Sequence, residues 1–379
     1  MKGKVLINQL ALTATGIIFS YLILYINMLF LEYESFFTSD NFYRWDSGLY
    51  IMIVEKGLFM EHCHWEFGRI LREPYYCGTA GWFPGYSYLI SLTNPFIEKP
   101  AVAGMWISKL FFILSLYLFM VISELKRFDS KSILLCLCFT FFFGSIYYHA
   151  IFPISQFLFF VMAAFYGFLR QKPWLIFTMT FAACLSYSTG FLLGIALSLA
   201  MWITHFSTFR SNVVKIVLPA LGSAAGLILH FFVLHLKTGS WKAFFMIQAG
   251  YGHEPHSPFD KVTQIFLELI DNLNRLTLVI SVQSILVLIS IGLMCFFFFY
   301  RRLYMNKVLL ASFCYLSIYF LFPYVVGSEQ LSLYRAESLL IPLLFFLKKL
   351  PDRYILIAFV VLLLLNFSMN DLFFKGILI

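Results

Sequence analysis

The amino-acid sequence predicts an all-α polytopic membrane protein, a bundle of about eleven transmembrane helices that forms one integral membrane domain over residues 1–379. Three observations carry that expectation. Sixty-one per cent of the residues are hydrophobic and 12% are charged, about half the charged share of a soluble domain, which leaves no room for a sizeable soluble domain. Apolar stretches of roughly 18 to 23 residues recur from end to end, long enough to cross a hydrocarbon core ~30 Å thick at 1.5 Å per residue. The charges between those stretches alternate in sign from one side to the other.

Taken in order, the first span is expected at 7–31. It follows "MKGK", is longer than a signal-peptide core and has no small-residue cleavage site behind it, so it reads as a retained helix. Ten more are expected at 102–123, 132–149, 151–169, 174–188, 190–206, 213–236, 276–299, 308–326, 336–347 and 354–370. The stretch "GWFPGYSYLISLTNPF" is apolar but broken by Pro84, Gly85 and Pro95, and is expected as an interfacial or re-entrant piece. Two long loops remain, 32–100 and 237–275, both on the same side, and long loops are where function concentrates.

The formal net charge of +8 raises nucleic acid as a partner, and its distribution argues against one. With the amino terminus in the cytoplasm, the inner loops hold 15 of the 27 basic residues and three of the 19 acids, Glu124, Asp129 and Asp352. The inner face then carries +12 and the outer face −4, which is the positive-inside bias of a membrane protein.

Five of the seven cysteines lie in apolar stretches, where a thiol behaves as a small hydrophobe. Cys63 and Cys77 share the first outer loop, where an oxidising compartment would let them pair as a disulfide. The run "EHCHWE" offers Glu61, His62, Cys63, His64 and Glu66, but adjacent residues rarely converge on one ion and no second metal motif accompanies them, so no metal is expected.

The chemistry is expected in the loops. In "NFYRWDSGLYIMIVEKGL", Asp46, Tyr50, Ile53 and Gly57 follow at helical spacing on one face, with Trp45, Leu49 and Met52 beside them as an interfacial helix requires. Asp46 reads both as the cap of that helix and as a reactive carboxylate. The second loop combines Trp241, Lys242, Gln248, Tyr251, His253, Glu254 and His256, in which aromatics and amides suit a sugar and Lys or His suits a phosphate. Arg335 stands at the outer end of a span, placed either to snorkel or to face the same cavity. There is no G-x-G-x-x-G, no G-x-x-x-x-G-K-[ST] and no D-x-D, so a nucleotide-linked donor has no visible seat and ATP-driven transport is not expected.

These residues resemble the GPI mannosyltransferase II (PIG-V type) family and its bacterial relatives, multi-pass GT-C glycosyltransferases, over most of the chain. The family's R-W-D-[SA]-x-x-Y-x-x-I-A-x-x-G-Y is met by Arg44, Trp45, Asp46, Ser47, Tyr50, Ile53 and Gly57, with Val54 for the alanine and Leu58 for the tyrosine. Its F-F-P-x-Y-P segment corresponds to Trp82, Phe83, Pro84, Gly85, Tyr86 and Ser87. Its later loop corresponds to Gly239, Ala243, Phe244, Gln248, Tyr251, Gly252 and His253. Its final R-Y-x-x-x-x-F-P-L is met by Arg335, Ile341, Pro342 and Leu343, with Ala336 for the tyrosine. Ile154 stands where the family has a glutamate, Tyr187 and Ser188 where it has Arg-Pro, and His253 where it has the loop arginine.

What the resemblance implies is inverting transfer of mannose or a related sugar from a polyprenyl- or dolichyl-phosphate donor to an acceptor glycan, glycolipid or protein, on the outer face of a bacterial cytoplasmic or endoplasmic reticulum membrane. Asp46 would be the base, and Arg44, Trp45, Tyr50, Tyr86, Gln248, Tyr251, His253 and Arg335 would contact substrate. No cofactor beyond the lipid-linked donor is expected. A phosphate leaving group needs cationic stabilisation more than a general acid, and one carboxylate can orient the acceptor hydroxyl. Two other readings compete: a flippase or transporter of lipid-linked saccharides, which would bury charges mid-span along a path where the sequence offers few, Lys109, His230 and His235, while its polar chemistry concentrates in the outer loops, and a non-catalytic relative acting as a subunit.

Overall fold

The computed structural model describes residues 2–32, 36, 38–66, 69–250, 263, 265, 267, 275–326 and 333–378. Most of them are helical. Five helices are long and apolar enough to cross a membrane: Gly3–Phe30, Pro100–Ile122, Phe206–Thr238, Leu276–Tyr300 and Asp352–Phe374. The protein is therefore a helical membrane protein. Five shorter apolar helices, Ser130–Thr140, Ile154–Leu169, Pro173–Ser186, Phe191–Thr204 and Lys307–Phe322, fall on other expected spans. The expected span at 336–347 is not one helix but three pieces, Leu333–Glu337, a 3₁₀ turn Ser338–Leu340 and Leu343–Leu347. Pro342 explains the last break, since it has no N–H to continue a helix.

Local chemistry sets the helix starts. Pro100 and Pro173 occupy first-turn positions, where a missing N–H costs nothing. The Asp129 carboxylate accepts the Ser132 N–H at 2.9 Å and so caps the Ser130–Thr140 helix, and those bonds hold its carboxyl below the usual range.

The bundle has two chemically distinct ends. At one, Asn8 donates to the Lys126 carbonyl, Lys131 bonds the Leu350 carbonyl and pairs with Asp352 at 3.6 Å, and Lys348 donates to the Ser123 carbonyl. At the other, Arg44 grips the last turn of the Asp352–Phe374 helix and Arg335 meets Asp46.

One element departs from the all-α expectation. Glu61–Glu66 and Arg69–Cys77 form an antiparallel hairpin in which Glu61 pairs with Cys77 and Cys63 with Tyr75. Pro74 and the β-favouring Ile70, Tyr75 and Tyr76 oppose a helix here. Cys63 and Cys77 are bonded to each other, their Cα atoms 5.9 Å apart. Thr79 Oγ1 donates to the Gly57 carbonyl and accepts the Phe59 N–H, which ties the hairpin to the end of the Ser47–Lys56 helix. The segment expected as interfacial or re-entrant holds the helix Gly85–Thr93, nine residues long and too short to cross.

The second long loop rests on the first. Its helix Ala243–Gly250 packs on Thr79–Gly81 and on the second hairpin strand. Gln248 Nε2 donates to the Gly81 carbonyl at 2.8 Å.

Candidate active site

Asp46 is placed by a tight turn followed by a helix. Arg44 and Trp45 carbonyls accept the N–H groups of Ser47 and Gly48, and the Asp46 carbonyl accepts those of Leu49 and Tyr50. The turn sets Trp45 at φ 41°, left-handed backbone that costs a bulky residue on the order of 1–2 kcal/mol. Strain of this kind, beside a carboxylate in the middle of a motif, is a mark of a functional position.

The capping role weighed for Asp46 is not what its side chain does. It makes no bond to the helix N–H groups. Instead Oδ2 meets Arg335 Nη1 at 2.5 Å, across 289 positions of sequence. The Asp46 side chain is 28% exposed and that of Arg335 18%, so water reaches the pair without flooding it.

The Arg335 guanidinium lies 5.5 Å from the centre of the Phe152 ring, within cation–π range. Burial by itself would lower its proton affinity, but the Asp46 carboxylate beside it holds it above its ordinary value. Arg335 stays a full cation. Gly144 makes this close approach possible: it adopts φ +58°, and a Cβ there would stand 2.5 Å from the Tyr334 carbonyl oxygen, one residue from Arg335.

Tyr50, one turn after Asp46, is buried with its ring edge-on to Tyr86 at 5.8 Å and to Phe152 at 6.1 Å. Burial and the Asp46 carboxylate push its hydroxyl well above the usual tyrosine range, so it remains a proton-bearing donor. The pair thus sits inside a wall of aromatic rings and hydroxyls. Carbohydrates present C–H faces and hydroxyls to walls of this kind.

Four other residues named as substrate contacts are placed differently. Arg44 sends Nε and Nη2 to the Phe373 and Phe374 carbonyls at 3.2 and 3.0 Å, and Nη1 to the Asp40 and Tyr43 carbonyls, so four of its five N–H groups are committed to backbone. It is a latch between the first loop and the end of the last helix. Tyr86 is wholly buried, its hydroxyl bonded to the Gly104 carbonyl and Ser108. Gln248 joins the two long loops. Trp45 is 46% exposed, which suits a headgroup-level anchor. Tyr251 and His253 lie outside the described residues.

Tyr147, Phe152 and Tyr334 match no motif residue, and Tyr187 stands in a motif only as a departure from its pattern. Tyr187 lies within electrostatic reach of both Asp46 and Arg335. A signal existed, because Tyr187 stands where the resembled motif carries an arginine. Ile154 opens the Ile154–Leu169 helix and is buried among apolar side chains. Glu61, Cys63 and Cys77 are the one group of metal-type donors that converge among the described residues, and the bond between the two sulfurs removes the thiolates a metal would need.

The fold and this site define a class: a multi-helix membrane protein with a carboxylate–guanidinium pair held in an aromatic wall at one end of the bundle. No family model matches the chain, and no curated protein matches it either.

Proposed function

We propose that the chain is a polyprenyl-phosphate-sugar-dependent glycosyltransferase of the GT-C kind, which moves mannose or a related sugar to an acceptor on the extracytoplasmic face. The observation that carries this reading is the 2.5 Å contact between Asp46 and Arg335, which joins the carboxylate of the first motif to the cation of the last.

Each group has a task in the reaction. The donor is a phosphodiester whose sugar–oxygen bond breaks as an acceptor hydroxyl attacks from the opposite face. Arg335 bonds the departing phosphate with its planar fork. Asp46 takes the proton from the attacking hydroxyl. The two tasks are coupled, since the carboxylate oxygen that holds Arg335 is engaged until the guanidinium turns to phosphate. Arrival of the donor uncovers the base.

The test is transfer of labelled sugar from polyprenyl-phosphate mannose, and from the corresponding glucose and galactose donors, by purified protein in lipid nanodiscs, supplied with a lipid and glycan extract as acceptor. Transfer from at least one donor that needs no added nucleotide is expected. Absence of transfer with all three overturns the reading.

A transporter of lipid-linked saccharides is the second reading, favoured by one observation. Lys109 is buried in the Pro100–Ile122 helix among the rings of Phe42, Trp106 and Tyr21 at 4.8, 5.0 and 5.7 Å. A charge kept inside a span marks a functional position by default. Facilitated movement of a lipid-linked saccharide across proteoliposomes, abolished by Lys109→Met and unaffected by Asp46→Asn, would favour it over the transferase.

A further inference from the structure

Arg335 sits on the helix Leu333–Glu337, five residues long. A helix of one turn has no stability of its own, so the direction in which Arg335 points is decided by whatever holds that turn. Neighbouring helices hold it through buried polar groups. Tyr148 donates to the Ser338 carbonyl at 2.5 Å, and Tyr315 donates to the Leu339 carbonyl at 3.2 Å. Gln283, from the long Arg275–Tyr300 helix, uses both N–H groups of its amide: one to the Tyr334 carbonyl at 3.4 Å, the other to Glu337 Oε2 at 2.7 Å. Its bonds therefore flank Arg335 on both sides.

The Gln283–Glu337 bond is an expensive way to pack two helices. Both residues are buried; among the described residues Ser284 is the one other side chain that supports the Glu337 carboxyl, and Gln283 Oε1 has no hydrogen-bond partner. Two leucines would fill similar space without that cost, because replacing both members of a buried polar pair by apolar groups is often neutral or stabilising. Stability does not account for a carboxyl and an amide at these positions, whereas fixing the register of a short turn does. A directional bond distinguishes one rotation of the turn from the next, and apolar contact does not.

We infer that Glu337 and Gln283 are positioning residues that aim Arg335 at Asp46. The assignment deepens the proposed transferase and rests on that reading for its kinetic arm, and it has a second arm that needs no activity. The variants are Glu337→Gln, Glu337→Leu, Gln283→Leu and the double Glu337→Leu/Gln283→Leu, in the full-length protein in nanodiscs.

The double variant is decisive because it removes both polar groups. Its melting temperature is expected to equal or exceed that of the wild type, while kcat for transfer falls at least about tenfold and KM for the lipid donor stays within about threefold, the pattern of an interaction lost in the transition state. Glu337→Gln keeps an acceptor for Gln283 and is expected within about threefold of wild type in both constants. In the second arm, phenylglyoxal modification of Arg335 is followed by peptide mass spectrometry. Arg335 should react at least about tenfold faster in the double variant than in wild type or Glu337→Gln, because an ion-paired guanidinium is protected. A double variant with wild-type stability, wild-type kcat and unchanged Arg335 labelling overturns the inference. If the wild type transfers no sugar, the transferase reading falls, and labelling alone decides the positioning: faster reaction upholds it and an unchanged rate ends it.

Discussion

Asp46 and Arg335 lie 289 positions apart in the chain and 2.5 Å apart in space, and the Asp46 side chain makes no capping bond that would account for its place there. A carboxylate at a helix start normally turns back to the N–H groups it can reach. This one turns outward to a cation from the far end of the sequence, and the first prediction separates the two roles.

Asp46→Asn keeps the shape of the side chain and can still accept a bond from Arg335, but cannot take a proton. Sugar transfer should fall by at least ~10²-fold with the melting temperature nearly unchanged. Wild-type turnover by this variant would remove Asp46 from the chemistry.

On the proposed mechanism Arg335→Ala loses the cation that would stabilise the departing phosphate, and kcat should fall by roughly 10²-fold. Arg335→Lys should restore only part of that loss, since an ammonium offers a point charge where the guanidinium offers a bidentate fork. Equal activity of the lysine variant and the wild type would mean that charge alone matters there.

Arg44→Ala should act on stability before it acts on chemistry. Four carbonyl bonds are lost at once, including two to the end of the last helix, and a destabilisation of roughly 2 kcal/mol is expected. The readout is thermal unfolding in detergent. A variant that unfolds like wild type yet fails to bind donor would instead return Arg44 to the list of substrate contacts.

The Cys63–Cys77 bond closes a short loop, the two residues being 14 positions apart. Chain entropy puts its contribution at ~3 kcal/mol, so Cys63→Ser/Cys77→Ser should lower the melting temperature of the first loop and loosen the hairpin. Mass spectrometry of non-reduced peptides should recover the two cysteines linked, and recovery of both as free thiols after preparation without reductant would contradict the bond.

Orientation is open to labelling at exposed positions. Glu98→Cys and Lys242→Cys should react with a membrane-impermeant maleimide from the same side, and Arg127→Cys should react only from the other. Lys126, Lys131 and Lys348 share one end of the bundle, which is expected to face the cytoplasm. Reaction of all three from one side would refute the arrangement.

Local pattern made part of this molecule readable. The long spans declare themselves by length and hydropathy, and Asp46 and Arg335 each stand out within a short motif. Their contact does not, because residue spacing carries no distance between helices that are not neighbours in sequence. Arg44 shows the same limit from the other side: beside Trp45 and Asp46 it looks like a binding cation, and only the position of the Phe373 and Phe374 carbonyls reveals a latch. The hairpin was hidden because residues 61–77 alternate weakly, and the cysteine spacing pointed to a bond without disclosing the ladder around it. The apolar run after Arg335 read as a span, although Ser338 and Pro342 divide it into short turns held by Tyr148, Tyr315 and Gln283.

The Arg44 latch also sets an order of events in time. The first loop is among the earliest parts of the chain to leave the ribosome, yet one of its anchors is 289 residues away and the other 329 and 330. At about 5–20 residues per second, the loop waits on the order of tens of seconds for those partners to be synthesised. During that interval Asp46 has no counter-ion and Arg44 no carbonyls of the last helix to hold. The site is therefore completed only when the final helix has been inserted, and a chain cut short before Phe373 would carry every motif residue and still have an unfastened first loop.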